Sequence, residues 1–301
     1  MERTLKKLSW KSWILAARPK TLSAGIVPIA VGTFLANKPL VSIDWFIALC
    51  TLLFSFMIQI ATNLINDALD FKKGADTNER LGPLRVTQAG LLSSEQVMRG
   101  AFVCFAFAFL FSIPLILKGG VPLLVLVLSS ICCSYLYTGG PFPLAYIGLG
   151  EIFVILFYGF FATLTSYFLQ TGEWGGVQML VISFELGCLI TVLLAINNLR
   201  DVQEDQKSNK KTLAARFGAS FARKEIAILV GLPFLLNFFW IYAEQPLLFF
   251  LPMTVLPMGL NIVKRMFQYT PGKIYNSFLG EASLLTLIYG FLLILGFRFT
   301  H

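Results

Sequence analysis

The sequence predicts an all-α integral membrane protein, about nine transmembrane helices bundled around a central cavity, with the N-terminus in the cytoplasm. Three observations carry that expectation. Of 301 residues, 56% are hydrophobic and only 13% charged, at a mean hydropathy of +0.74, whereas soluble domains carry roughly twice that charge. Apolar runs of the length that crosses a bilayer, about 17–25 residues, recur along the whole chain. Finally, 21 of the 24 Lys and Arg fall at the N-terminus and on alternate loops, the asymmetry that sets membrane orientation.

The runs lie near residues 21–36, 44–65, 97–117, 120–138, 146–169, 176–198, 222–243, 245–264 and 278–297. The first is the shortest. Pro28, Pro114, Pro233, Pro252 and Pro257 fall inside runs, where neighbouring helices can satisfy the freed carbonyls. Ahead of them stands a basic cytoplasmic segment, residues 1–20, followed by a single membrane domain over 21–301. The lead resembles neither a cleavable signal nor a transit peptide, so a bacterial inner membrane is the expected location. Only Lys38, Lys118 and Arg298 remain for the far side. The net charge of +8 therefore reads as topology and attraction to the lipid surface, with no call for nucleic acid.

Some chemistry is excluded at once. The single histidine is the last residue, His301, which leaves no histidine base and no histidine-rich metal site. Cys50, Cys104, Cys132, Cys133 and Cys188 sit in apolar stretches without ligand spacing and read as small packing residues.

The carboxylates are the informative residues, because charge beside lipid is costly and usually functional. One cluster lies at the cytoplasmic end of the second run: Asn63, Asn66, Asp67, Asp70 and Asp76. Another follows the sixth: Asn197, Asn198, Asp201, Glu204 and Asp205. The segments Ala61–Asp67 (ATNLIND) and Ala195–Asp201 (AINNLRD) read as a weak internal repeat. On a helix, Asn63, Asp67 and Asp70 share one stripe, and Asn197, Asp201 and Asp205 another. Two such stripes facing one cavity need a cation between them. Oxygen-only donors suit Mg²⁺, which shares carboxylates with substrate phosphates. Arg18, Lys20, Lys72, Lys73, Arg85, Lys210, Lys211 and Arg216 form a cationic rim, so the expected ligand is a metal-bound, lipid-linked diphosphate. Glu151 falls inside a run near the same side and could face the cavity; Glu185 is nearer mid-span.

At these residues the chain resembles the UbiA superfamily of membrane prenyltransferases, with its two Asp-rich motifs. Further stretches are similar to the 1,4-dihydroxy-2-naphthoate polyprenyltransferases: Ala17–Thr21, Gly82–Gln88, Tyr137–Tyr146 running on to Gly148–Glu151, Ile196–Asp201 and Lys211–Gly218. The resemblance implies transfer of a polyprenyl group from polyprenyl diphosphate to 1,4-dihydroxy-2-naphthoate, with loss of CO₂ and diphosphate, giving demethylmenaquinone. It implies Mg²⁺ held by Asp67, Asp70, Asp201 and Asp205 with help from Asn63 and Asn197. Lys20, Lys72, Arg85, Lys211 and Arg216 are the favoured cations for the diphosphate, with Arg18, Tyr137 and Glu151 also toward substrate. Tyr135, Tyr137 and Tyr158 are candidates to face an allylic cation.

Two other readings stand beside this one. Another phenol, such as 4-hydroxybenzoate or homogentisate, could be the acceptor, although no basic residue lies between Thr138 and Tyr146. An ion-coupled transporter also repeats carboxylates in a bundle, but usually at the midplane.

Overall fold

A computed structural model describes residues 9–37, 42–75 and 81–300. Among them every regular element is helical: α1 (Trp10–Ala17), α2 (Pro19–Leu35), α3 (Trp45–Lys72), α4 (Ser94–Leu136), α5 (Gly150–Thr171), α6 (Gly176–Arg200), α7 (Val202–Lys207), α8 (Leu213–Tyr242), α9 (Pro246–Met253), α10 (Leu256–Gln268) and α11 (Tyr275–Thr300).

Local chemistry sets the ends. Asp44 caps α3 by accepting from the Ile47 N–H at 3.1 Å. Ser93 and Gln96 close a reciprocal capping box at the start of α4, which satisfies two otherwise orphaned amides. Thr212 caps α8 through the Ala215 N–H.

Among the described residues, six helices are long and apolar enough to cross a membrane. The number is seven if α9 and α10, bent by 42°, form one broken span. The sequence expectation of about nine is therefore met only at the coarser level, for two physical reasons. The apolar part of α2 is short, Ala24–Leu35. And α4 holds 43 residues, about 65 Å of helix against a hydrocarbon core of roughly 30 Å.

A break at Gly120 resolves that mismatch. Its φ of 66° and ψ of −152° lie where glycine alone is comfortable. Before it, Val97 and Ala101 pack beside Ala61, Leu64 and Ala68 near the C-terminal end of α3. At the break, Leu115 and Leu123 pack on Ile47 and Cys50 at the other end. Beyond it the chain returns, and Ser134 meets Thr62 at 2.5 Å. The long helix is a tight hairpin that runs down α3 and back.

The largest core joins α2, α6, α8, α10 and α11 through Val31, Leu189, Ile226, Ile262 and Tyr289. Close approach is bought by glycine at the α5–α6 crossing. A Cβ on Gly159 would stand 2.7 Å from the Gly187 Cα and 2.6 Å from the Ser183 carbonyl oxygen. Gly159 lies in a π turn, Ile155–Phe161. Within the basic segment before α2, Trp13 and Ala16 of α1 pack against α3 and α4.

Candidate active site

Both acidic clusters lie at helix ends, and the loops that follow fold back over them. Asp67 and Asp70 occupy the last two turns of α3 and are 1% and 4% exposed. Asp67 accepts from the backbone N–H groups of Val86 (3.0 Å) and Thr87 (3.2 Å) and from the Thr87 hydroxyl. It thereby caps the turn over residues 85–90, as an N-cap side chain would. Asp70 meets different partners: Arg85 Nη2 donates to Oδ2 at 3.3 Å and the Tyr146 hydroxyl to Oδ1 at 2.8 Å.

In the second cluster α6 stops at Arg200, and Asp201 (φ −95°, ψ 11°) turns the chain into α7. Arg200 donates to both Asp201 oxygens at 2.7 Å and uses Nη1 to reach Asn276 Oδ1, also at 2.7 Å. Asp205 is buried. Its Oδ2 accepts from the Thr212 hydroxyl at 3.1 Å, and the Lys210 ammonium lies 3.7 Å from Oδ1. Burial pushes the Asp205 carboxyl above the usual aspartate range, while Lys210 pulls it back.

The clusters meet at Tyr146. Its hydroxyl serves Asp70, while the ammonium groups of Lys73 and Lys210 stand 4.3 and 5.7 Å from its ring centroid. Its carbonyl accepts from the Lys211 N–H at 3.0 Å. The chain passes so closely here that a Cβ on Gly148 would lie 3.0 Å from the Lys211 carbonyl oxygen.

Beneath this layer is a cavity of about 320 Å³. Arg18, Asn63, Asn66, Tyr137 and Asn197 line it, as do Leu123, Val127, Phe157 and Phe161. It joins the carboxylate end of the bundle to an apolar interior.

The expected site residues divide accordingly. Asp67, Asp70, Asp205, Arg85 and Glu151 are buried. Asn63, Asn197, Arg18 and Tyr137 line the cavity. Asn63 also donates to the Ala17 carbonyl (3.2 Å) and the Thr21 hydroxyl (3.3 Å). Glu151 accepts from Asn198 at 2.8 Å, so the neighbour of Asn197 holds it. Lys72, Lys211 and Arg216 are exposed at the rim; Lys73 is exposed as well, but its ammonium donates to the Thr138 carbonyl at 2.6 Å, and half-buried Lys210 lies 3.7 Å from Asp205. The Lys20 side chain, Asp76 and His301 lie outside the described residues. Not anticipated were Tyr146 and the supports Thr87 and Thr212, while Asn66, named with the first cluster but given no role, accepts from the Thr138 hydroxyl.

Among the described residues no three of His, Cys, Asp and Glu gather into a ready cage for a metal. The acidic and amide donors at the cavity are hard oxygens. Such a set suits Mg²⁺, which takes one or two carboxylates and completes its shell with water and phosphate oxygens.

Buried carboxylates and cations at one end of a membrane bundle, next to a half-apolar cavity, are the arrangement of an enzyme that handles an anionic group on a lipid chain. Residues 25–293 match the model of the UbiA prenyltransferase family, and the chain belongs to that family. It is 33% identical over 257 residues to the 1,4-dihydroxy-2-naphthoate octaprenyltransferase of Bacillus subtilis (strain 168), covering 83% of this chain and 80% of that protein. The enzyme of the same name from Escherichia coli (strain K12) is 35% identical over 227 residues, 73% of each chain. The fold matches a UbiA homolog from Archaeoglobus fulgidus bound to DMAPP and Mg²⁺. The TM-score is 0.64 at 17% identity, over 94% of this chain and 99% of that one.

Proposed function

We propose that this membrane prenyltransferase moves a polyprenyl group from polyprenyl diphosphate to 1,4-dihydroxy-2-naphthoate, releasing diphosphate and CO₂. The observation that carries the acceptor is the identity of 33–35% to naphthoate octaprenyltransferases over most of the chain. The geometry supports the chemistry. Carboxylates stand at the mouth for a metal–diphosphate, and an apolar cavity lies below for the chain.

In this reading Asp67, Asp70, Asp201 and Asp205 hold Mg²⁺, with the amides of Asn63 and Asn197 beside them. The metal supplies Lewis acidity toward the leaving diphosphate. Arg85, Lys73 and Lys210 add charge-assisted hydrogen bonds to it, with Lys72, Lys211 and Arg216 guiding it in from the rim. The allylic carbon–oxygen bond breaks, and the ring carbon bearing the carboxylate forms the new carbon–carbon bond. Departure of CO₂ then returns its electron pair to the ring. No proton need be removed at that carbon, consistent with a site built without histidine. The product is the reduced form of demethylmenaquinone.

We read the bundle as nine passes with the carboxylate end in the cytoplasm of a bacterial inner membrane. The basic residues, 21 of 24 on that side, support this orientation. Carboxylates at a helix-end boundary rather than at mid-span weigh against a transporter. The test is a detergent assay of the purified protein with labelled polyprenyl diphosphate, offering dihydroxynaphthoate or 4-hydroxybenzoate, with Mg²⁺ or EDTA. Metal-dependent product and CO₂ from the naphthoate alone are expected. Product from the benzoate alone would overturn the acceptor and keep the family.

A further inference from the structure

Gln59 stands on α3 one turn from Asn63 and two from Asp67, and it lines the same cavity. Its amide nitrogen donates to the Thr21 carbonyl at 2.6 Å. A carbonyl can only accept, so this contact fixes which way the amide points. Oε1 consequently faces away from Thr21. It is buried, in a residue 7% exposed, and has no hydrogen-bond partner. Buried amide oxygens are rarely left so, because desolvation goes uncompensated until a donor arrives.

The space over this oxygen is kept open from the opposite helix. A Cβ on Gly25 of α2 would lie 3.3 Å from Gln59 Oε1, 2.9 Å from Ser55 Oγ and 4.0 Å from Tyr158 Cε1. Ser55 and Tyr158 line the cavity too. Tyr158 belongs to the π turn of α5, a distortion common at functional sites. An isoprenoid tail laid against Oε1 would leave the acceptor unmet, whereas a hydroxylated ring would satisfy it.

We propose that Gln59 Oε1, beneath the gap left by Gly25, accepts a hydrogen bond from a phenolic hydroxyl of the aromatic acceptor and so determines specificity for a hydroxylated ring. The inference rests on the prenyl transfer proposed above and adds the acceptor subsite. In dihydroxynaphthoate the 1-hydroxyl sits beside the carboxylate and bonds to it internally. The 4-hydroxyl is the free donor.

The test compares the parent, Gln59→Met and Gly25→Ala as full chains in detergent. Dissociation constants for dihydroxynaphthoate and for 1-hydroxy-2-naphthoate, which lacks the 4-hydroxyl, are measured by calorimetry; KM for the diphosphate is measured beside them. The parent should bind the dihydroxy compound about 10- to 100-fold more tightly than the monohydroxy one. Gln59→Met should close that gap by weakening the dihydroxy compound alone, with KM for the diphosphate within about twofold of the parent. Gly25→Ala, a change that favours helix, should act in the same direction and decides the matter if Gln59→Met does not fold. Equal weakening of both acceptors, a parent without preference, or a loss confined to the diphosphate overturns the subsite. Absence of turnover in the parent would instead count against the acceptor assignment, since the binding comparison needs no turnover.

Discussion

The Tyr146 hydroxyl donates to Asp70 Oδ1 at 2.8 Å, so a residue of the loop before α5 holds a carboxylate of α3. The same ring lies under the ammonium groups of Lys73 and Lys210. One side chain thus couples the two acidic clusters. Tyr146→Phe should lower kcat about tenfold, the loss of one hydrogen bond to a charged group. Tyr146→Leu should also raise KM for the diphosphate, because the cations lose their platform. Steady-state kinetics of the two variants separates hydroxyl from ring.

Asp67→Ala and Asp201→Ala should each abolish nearly all turnover while the protein still inserts. Residual activity above about a tenth of the parent would defeat the metal assignment. Because Asp67 also caps the 85–90 turn, its variant should be cut faster there by added protease. Limited proteolysis followed by mass spectrometry reads that difference.

Adjacent lysines provide a sharper contrast. Lys73→Ala and Lys210→Ala should raise KM for the diphosphate by about tenfold, whereas Lys72→Ala should stay within about twofold of the parent. Comparable losses at Lys72 and Lys73 would show that the rim acts only as a diffuse field. Titration with added salt would confirm that case.

Gly187→Val should destabilise the bundle by about 1–3 kcal/mol, since Gly187 meets Gly159 backbone to backbone. The melting temperature in detergent should fall. Tyr158, next to that crossing, should shift with it, so acceptor affinity should drop as well.

Asp44 gives a pH signature at the other end of the bundle. The Ile47 N–H, and then Lys118 at 3.0 Å, hold its carboxyl below the usual aspartate value. A depressed value means that the folded state prefers the ionised form. That stability is present above the ordinary aspartate range and is lost as pH falls through the lowered value. Asp44→Ala should therefore cost about 1 kcal/mol at neutral pH, mainly the cap. The gap to the parent should narrow below about pH 4. Thermal melts at pH 7 and in acid measure both.

The acidic clusters were legible in the sequence because carboxylates stand out in apolar chain, and the hairpin break fell at the gap between the runs 97–117 and 120–138. Which lysine of a pair turns inward was not, because partners distant in the chain decide it. Lys73 is held by the Thr138 carbonyl at 2.6 Å and by the Tyr146 ring, and Lys210 by Asp205 and the same ring. Tyr146 itself was one aromatic in a loop, without a pattern to mark it. Gln59, a single amide in an apolar helix, became informative only once Thr21 was seen to take its nitrogen. The count of spans depended on the merged arms of α4, the bend at α9–α10 and the short α2; the first run was already the shortest in the sequence, but hydropathy does not register the bend.

The turn at Gly120 also constrains how the protein is made. Two helices joined by so tight a bend leave almost no connecting chain to thread across the bilayer on its own. In the nine-pass reading proposed above, the two arms of α4 therefore enter the lipid together, as one translocation event. Lys118, carried through at the tip, finds Asp44 waiting there. In that reading the pair closes only once the hairpin has crossed, so its formation would report insertion of this part of the bundle.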